Sequence, residues 1–339
     1  MKAMIGMSIR LRFVYFFVSL AAVLSGSAMA QVVIKLGTAA PEGSVWHDAL
    51  LETRQQWREI SNGEVELRIY AGGVLGGEDE MVRKMQRRGL DALAISGSGL
   101  PLIDGIVSCL NLPMFFQSYE DLDHVRGAIA PELEKSFEQQ GYKVLSWAEG
   151  GWVHFFSKTP VRTPDELRRL RLWIGTGDPK AEQLAKELGF RVVPLPTTDM
   201  LTGLQTGLIE VIDVPPLFAL LDRGYQAAPY MTDLRFAPLN AATVMTLPAW
   251  ERIPAEYRDR LLGAAQASAA KLREQIHRAE QEAISEMAAR GLNVVTLDAE
   301  TVDLWRRESE AVYPRLDCNR EHPVLFARIV ELQRERAGR

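Results

Sequence analysis

Beyond residue 31 the chain alternates between two hydrophobic periods. "VVIKL" (32–36) is a short apolar run, and Val45 to Ile60 then carries Trp46, Leu50, Trp57 and Ile60 on one helical side until "SNG" ends it. "EVELRIY" (64–70) puts Val65, Leu67 and Ile69 on one face, the period of a half-buried strand. "GGEDEMVRKMQRRG" predicts a glycine turn and a helix, and "LDALAIS" (90–96) a fully buried strand. A helix near 131–140 and the strand "YKVLSWAE" (142–149) follow. Thr163-Pro164-Asp165-Glu166 then forms a capping box with proline at the first helical position. After it come the strand "RLRLWI" (169–174), a helix from Asp178 to Leu188 stopped by Gly189, the strand "RVVPLP", the helix "TTDMLTGLQTGLI" and the strand "EVIDVPP". Residues 254–290 hold few helix breakers and predict one long helix. Alternation of this kind predicts an α/β fold with mostly parallel sheets and helices on both faces. The length suits two domains, and with no low-complexity linker the boundary is expected to cross at strands.

Residues 1–30 stand outside this pattern. Lys2, Arg10 and Arg12 precede the apolar run "FVYFFVSLAAVL", and Ala28 and Ala30 give the small-x-small cleavage pattern. The segment predicts a secretory signal peptide cut between Ala30 and Gln31, since the run is shorter than the roughly 20 residues of a membrane span. No cysteine follows the cut to carry a lipid anchor. Removing it takes the formal charge from −5 to −8, because it holds three basic and no acidic residues. An acidic balance excludes nucleic acid as the natural partner. In the oxidising compartment this implies, Cys109 and Cys318 are free to form a disulfide, but their separation in sequence does not set their distance in space. Two buried thiols are the simpler reading.

The chain offers no catalytic or metal-binding constellation. None of His47, His124, His154, His277 and His322 has a second ligand at zinc-like spacing, and "DLDH" (121–124) lacks the spacing and glycine of a calcium loop. "SGSG" (96–99) follows a strand without the lysine of a phosphate loop, and Ser96 and Ser98 have no nucleophile elbow. Neither an enzyme nor a cofactor is nominated.

Four segments carry a resemblance. In "YAGGVLGGEDEMVRKMQRRGLDALAIS" (70–96), a tyrosine is followed five residues later by leucine-glycine, then by methionine and a glycine-x-leucine-aspartate-like close. "VRTPDELRRLRLWI", "TDMLTGLQTGLIEVID" with Leu204-Gln205-Thr206-Gly207, and the closing long helix follow in order. Together they resemble the extracytoplasmic solute-binding subunits of tripartite ATP-independent periplasmic (TRAP) transporters, of the dicarboxylate-binding type. The resemblance implies a two-lobed periplasmic solute-binding protein with hinge strands and a long connecting helix. Such a protein is a monomer that closes over one small molecule and delivers it to a membrane permease of two subunits. Lobe one is expected at 31–150 with 240–280 and 313–339, and lobe two at 151–239 with 281–312. A secreted receptor presenting its ligand to a membrane sensor is the alternative class.

The resemblance also locates departures. The position of Trp173 is usually an arginine that pairs with a substrate carboxylate; a second family arginine falls at Val153, and an asparagine before proline falls at Val214, before Pro215. Trp152 and Phe155 stand beside Val153. Loss of one partner of a buried charge pair costs about 3–5 kcal/mol. A tryptophan instead offers an aromatic wall of about 150–250 Å², worth a similar amount to an apolar ligand at about 25 cal/mol per Å². The pocket is therefore expected to take an apolar or neutral ligand. In "RRLRLWIGTGD" alternation puts Arg169, Arg171 and Trp173 on one face, at a strand end where open α/β proteins place ligand contacts. Core packing of Trp173 and a cleft filled by it are the alternatives. The other cleft candidates are Ser96, Gly97, Thr176, Trp46 and Glu149. His154 is the reserve site if the ligand is an organic acid after all.

Overall fold

A computed structural model describes residues 31–97, 99–176 and 178–337; the expected signal peptide lies outside the described residues. Among the described residues, ten strands form one continuous path with a single two-strand branch: β1 (Val32–Thr38), β2 (Val65–Tyr70), β3 (Ala92–Ser96), β4 (Tyr142–Ser157), β5 (Arg171–Gly175), β6 (Arg191–Leu195), β7 (Val211–Val214), β8 (Tyr230–Thr232), β9 (Ala237–Thr246) and β10 (Asn293–Val295). The order is β2-β1-β3-β9-β4-β7-β5-β6, with β8 joining β4 and β10 joining β8. The outer strands pair in parallel, as the alternating pattern predicts. The central β4 and β9 run antiparallel to their neighbours. Beta-4 spans both halves of the molecule: Tyr142–Val153 pair with β9 and His154–Ser157 with β7.

That strand is twice the length its sequence predicts, because Gly150 and Gly151 interrupt the alternation without ending it. Pairing slips there, from Glu149 opposite Asn240 to Gly151 opposite Leu239. Gly151 has φ +112°, a conformation that side chains strain to reach. A bulge of this kind adds one residue and exchanges the two faces of the strand beyond it.

Helices close over the sheet. The helix expected near 131–140 runs from Tyr119 to Gln139, capped by Ser118 and carrying Pro131 inside it. Proline usually marks a first turn, so the sequence shows only the second half. The capping box at Thr163 forms with both of its hydrogen bonds. Ala255–Ala289 is one helix of 35 residues, about 50 Å long at 1.5 Å per residue. Its buried positions recur every three or four residues from Leu261 to Met287. They begin in the core that holds Trp57 and Ile34 and end in the core that holds Trp173 and Met200, so the helix ties the two halves together.

Where the long helix crosses β4, buried acids organise the crossing. Glu280 accepts from the Trp152 backbone N–H at 2.5 Å and from the Tyr119 hydroxyl at 2.6 Å. Burial raises the carboxyl of Glu280 and the phenol of Tyr119 above their ordinary pKa values. Glu149 lies between His277 Nε2 at 2.6 Å and Arg126 Nη1 at 3.4 Å.

The two cysteines correct the simpler reading of the sequence. Cys109 and Cys318 are joined in a disulfide, 209 residues apart in the chain. It fixes the C-terminal segment, whose Leu325 and Ile329 enter the same core as Leu122 and Phe137.

Candidate functional site

A cavity of about 240 Å³ opens where the strand ends of the two halves face one another. Its walls come from the turn after β1 with Trp46, the end of β3, the middle of β4, β5, β7 with Pro215, and the long helix. Among the described residues that line it there is no arginine, lysine or histidine, and its only carboxylates are Glu78 and Asp213.

The three departures named from the sequence meet here. Trp173, Val153 and Val214 all line the cavity, with Pro215, Trp46 and Ser96. Trp173 stands in both a core and the cavity wall. It packs in the core with Met200, Leu204 and Val214, and its indole Nε1 donates to the Leu195 carbonyl at 2.9 Å, yet its ring borders the cavity. Space remains beside it, so it does not fill the cleft. Arg171 on the same strand face turns to the Gly207 and Leu208 carbonyls and to Glu210, away from any ligand role.

The other named candidates do not line this cavity. Ser146, Ala148 and Gly150 face it before the bulge and Val153 after it; unbroken alternation would have chosen Trp152 and His154. Trp152 is instead fully buried, beside Tyr119 with the ring centroids 5.6 Å apart. His154 is buried with Nδ1 3.2 Å from the Thr232 carbonyl, and burial lowers its pKa to about 4. A neutral imidazole held this way is no reserve anion site. Phe155 stacks on Trp305, and Glu149 is engaged by Arg126 and His277 where the long helix crosses β4. Gly97 is closed in by Asn111 and Asn240, and Thr176 lies half-buried in the turn after β5.

Two acidic residues were missed. Glu78 stands in the first turn of its helix, where its carboxylate accepts from Ser96 N and Oγ, both at 2.8 Å. Asp213 sits in the apolar strand Val211-Ile212-Asp213-Val214, and burial pushes its carboxyl up to about 7. A lone carboxylate in a buried strand was the available signal. Ser268, on the long helix with Ala265, Ala269 and Leu272, also lines the cavity; its small-residue face is visible in the sequence only once the helix has a neighbour.

Comparison with known proteins supports the fold. The chain is 22% identical over 285 residues to the 2,3-diketo-L-gulonate-binding periplasmic protein YiaO of Escherichia coli, covering 83% of this chain and 86% of that one. Its fold is similar to a TRAP periplasmic solute-binding protein of Ralstonia eutropha solved with bound (S)-2-acetolactate (TM-score 0.84, 16% identity, 90% of this chain and 99% of the other). It is also similar to one of Haemophilus influenzae solved with L-gulonate (TM-score 0.80, 21% identity, 88% and 99%). Among the described residues, no helix is long and apolar enough to cross a membrane. The sequence profile described as "Bacterial extracellular solute-binding protein, family 7" matches residues 36–317, and the chain therefore belongs to this family, DctP.

Proposed function

We propose that this chain is the solute-binding subunit of a TRAP transporter whose ligand has an apolar or uncharged body and is not held through a carboxylate clamp. The observation that carries the reading is the absence of arginine, lysine and histidine among the described residues lining the cavity, where Trp173, Val153 and Val214 stand instead. A carboxylate entering such a cavity loses its hydration without gaining a cationic partner, and meets Glu78 and Asp213. An apolar body leaves water against tryptophan, valine and alanine surfaces.

In this reading β4, β9 and the long helix are the hinge, and the lobes divide at the Gly150–Gly151 bulge. The lobes close on the ligand in the periplasm, and the closed form is handed to a membrane permease. An organic acid is the second reading, favoured by the ligands of the similar proteins. Trp46 Nε1 and Ser268 Oγ, both buried without a partner, would then have to hold it.

Calorimetric titration of residues 31–339 separates the two. Succinate and L-gulonate are expected to give no binding at millimolar concentration, while 2-phenylethanol binds measurably. Micromolar binding of either acid would overturn the proposal.

A further inference from the structure

Beta-5 and β7 pair only at Leu172 opposite Val211. Beyond that point β5 continues against β6 alone, so Trp173 and Asp213 lie where the two strands part. A second cavity, about 270 Å³ and walled mainly by apolar side chains such as Leu167, Leu184 and Trp305, lies behind the cleft; Trp173 and Asp213 are the two residues shared by both linings. Asp213 therefore stands at the junction of two apolar spaces. Its Oδ1 is buried and has no hydrogen-bond partner.

The titratable groups around this junction do not neutralise it. Glu78 is engaged by Ser96 across the cleft. Arg168 and Glu308 of the second cavity pair with each other, and His154 on the neighbouring β4 is bonded to Thr232. A buried carboxylate without a counter-ion is relieved by taking up a proton or by gaining a cation. A neutral ligand leaves Oδ1 unpaired, and an anionic one adds like charge. The two indole rings of the cavity, Trp46 and Trp173, present π faces that also attract a cation.

We propose that Asp213 is the polar anchor of the cleft and that the ligand carries a protonated amine on its apolar body. This rests on the reading of the cavity as the ligand site. The carboxylate receives the ammonium hydrogen bonds, and the apolar body lies along Trp173, Val153 and Val214.

Three probes of one shape test it: 2-phenylethylamine, 2-phenylethanol and phenylacetate, titrated calorimetrically into residues 31–339 and into Asp213→Asn. At pH 8 the amine is expected to bind at least tenfold more tightly than the alcohol, with phenylacetate weakest. The amine stays protonated between pH 6 and 8, so its affinity should fall about tenfold from pH 8 down to pH 6 as Asp213 takes up a proton near 7. Asp213→Asn should abolish both the preference and the slope. If that variant does not fold, the slope of the unmodified protein decides. Equal affinity for amine and alcohol, or an amine affinity flat with pH, overturns the anchor and leaves the apolar cleft standing. Tightest binding of phenylacetate, or no binding by any probe, overturns the reading of the cleft and the anchor with it.

Discussion

Trp173 holds two positions at once, and its substitutions should separate them. Removing the ring takes apolar surface from the cavity and leaves a void in the core with Met200 and Leu204. Trp173→Ala should therefore cost about 3–5 kcal/mol of stability and weaken 2-phenylethanol binding about tenfold, whereas Trp173→Phe should keep affinity within about threefold. Melting curves and titrations of both variants check this, and unchanged affinity in Trp173→Ala would remove the ring from the site. Asp213 makes a prediction in pH. Its carboxyl is raised from an ordinary value of 3.8 to about 7, so between these values the folded chain holds a proton that the unfolded chain has released. That contribution to stability is complete below about pH 4 and is lost as pH rises through 7. Asp213→Asn escapes the loss, and should gain roughly 2–4 kcal/mol on the parent between pH 4 and 8 in denaturant titrations. His154 acts with the opposite sign: lowered from 6.5 to about 4, it contributes fully above 6.5 and loses that contribution as pH falls toward 4.

At the scale of elements, β4 decides which residues reach the cavity. The bulge at Gly150–Gly151 turns Val153 toward the cavity and buries Trp152 and His154. A Cβ on Gly151 would lie 2.5 Å from Glu280 Oε1, the oxygen that accepts from the Trp152 N–H. Gly151→Ala should thus lose about 1–3 kcal/mol through backbone strain, visible as a lower melting temperature, while Gly263→Ala, where a Cβ meets nothing, should not. The bulge also marks how far the sequence could be read. Elements with caps and regular periods were legible: the Thr163 capping box, the helix ended by Gly189 and the long helix all lie within a residue or two of their expected bounds. Resemblance singled out Trp173, Val153 and Val214, and the structure places all three on the lining of one cavity. Side-chain direction past a paired glycine was not legible, because alternation carries no sign of a one-residue slip. Nor was the position of Asp213 between two cavities, since nothing local shows that β5 and β7 part beside it.

Across the whole molecule, three ties join distant parts of the chain: β4, the long helix and the Cys109–Cys318 disulfide. Only the last lies clear of the cavity, as neither cysteine lines it. Replacing both cysteines by serine should lower stability by roughly 2–5 kcal/mol without changing probe affinity, which a melting curve and a titration would show together. The two remaining ties pass directly by the cleft, so in the proposed reading closure of the lobes and contact with the ligand would involve the same strand and helix. The central claim concerns what that cleft holds. Native mass spectrometry of the protein purified gently from its own compartment, followed by solvent extraction, reads this directly. Close to one molecule per chain is expected, with an apolar body and no carboxylate; a sugar acid or a small dicarboxylate at that stoichiometry would contradict an apolar cleft.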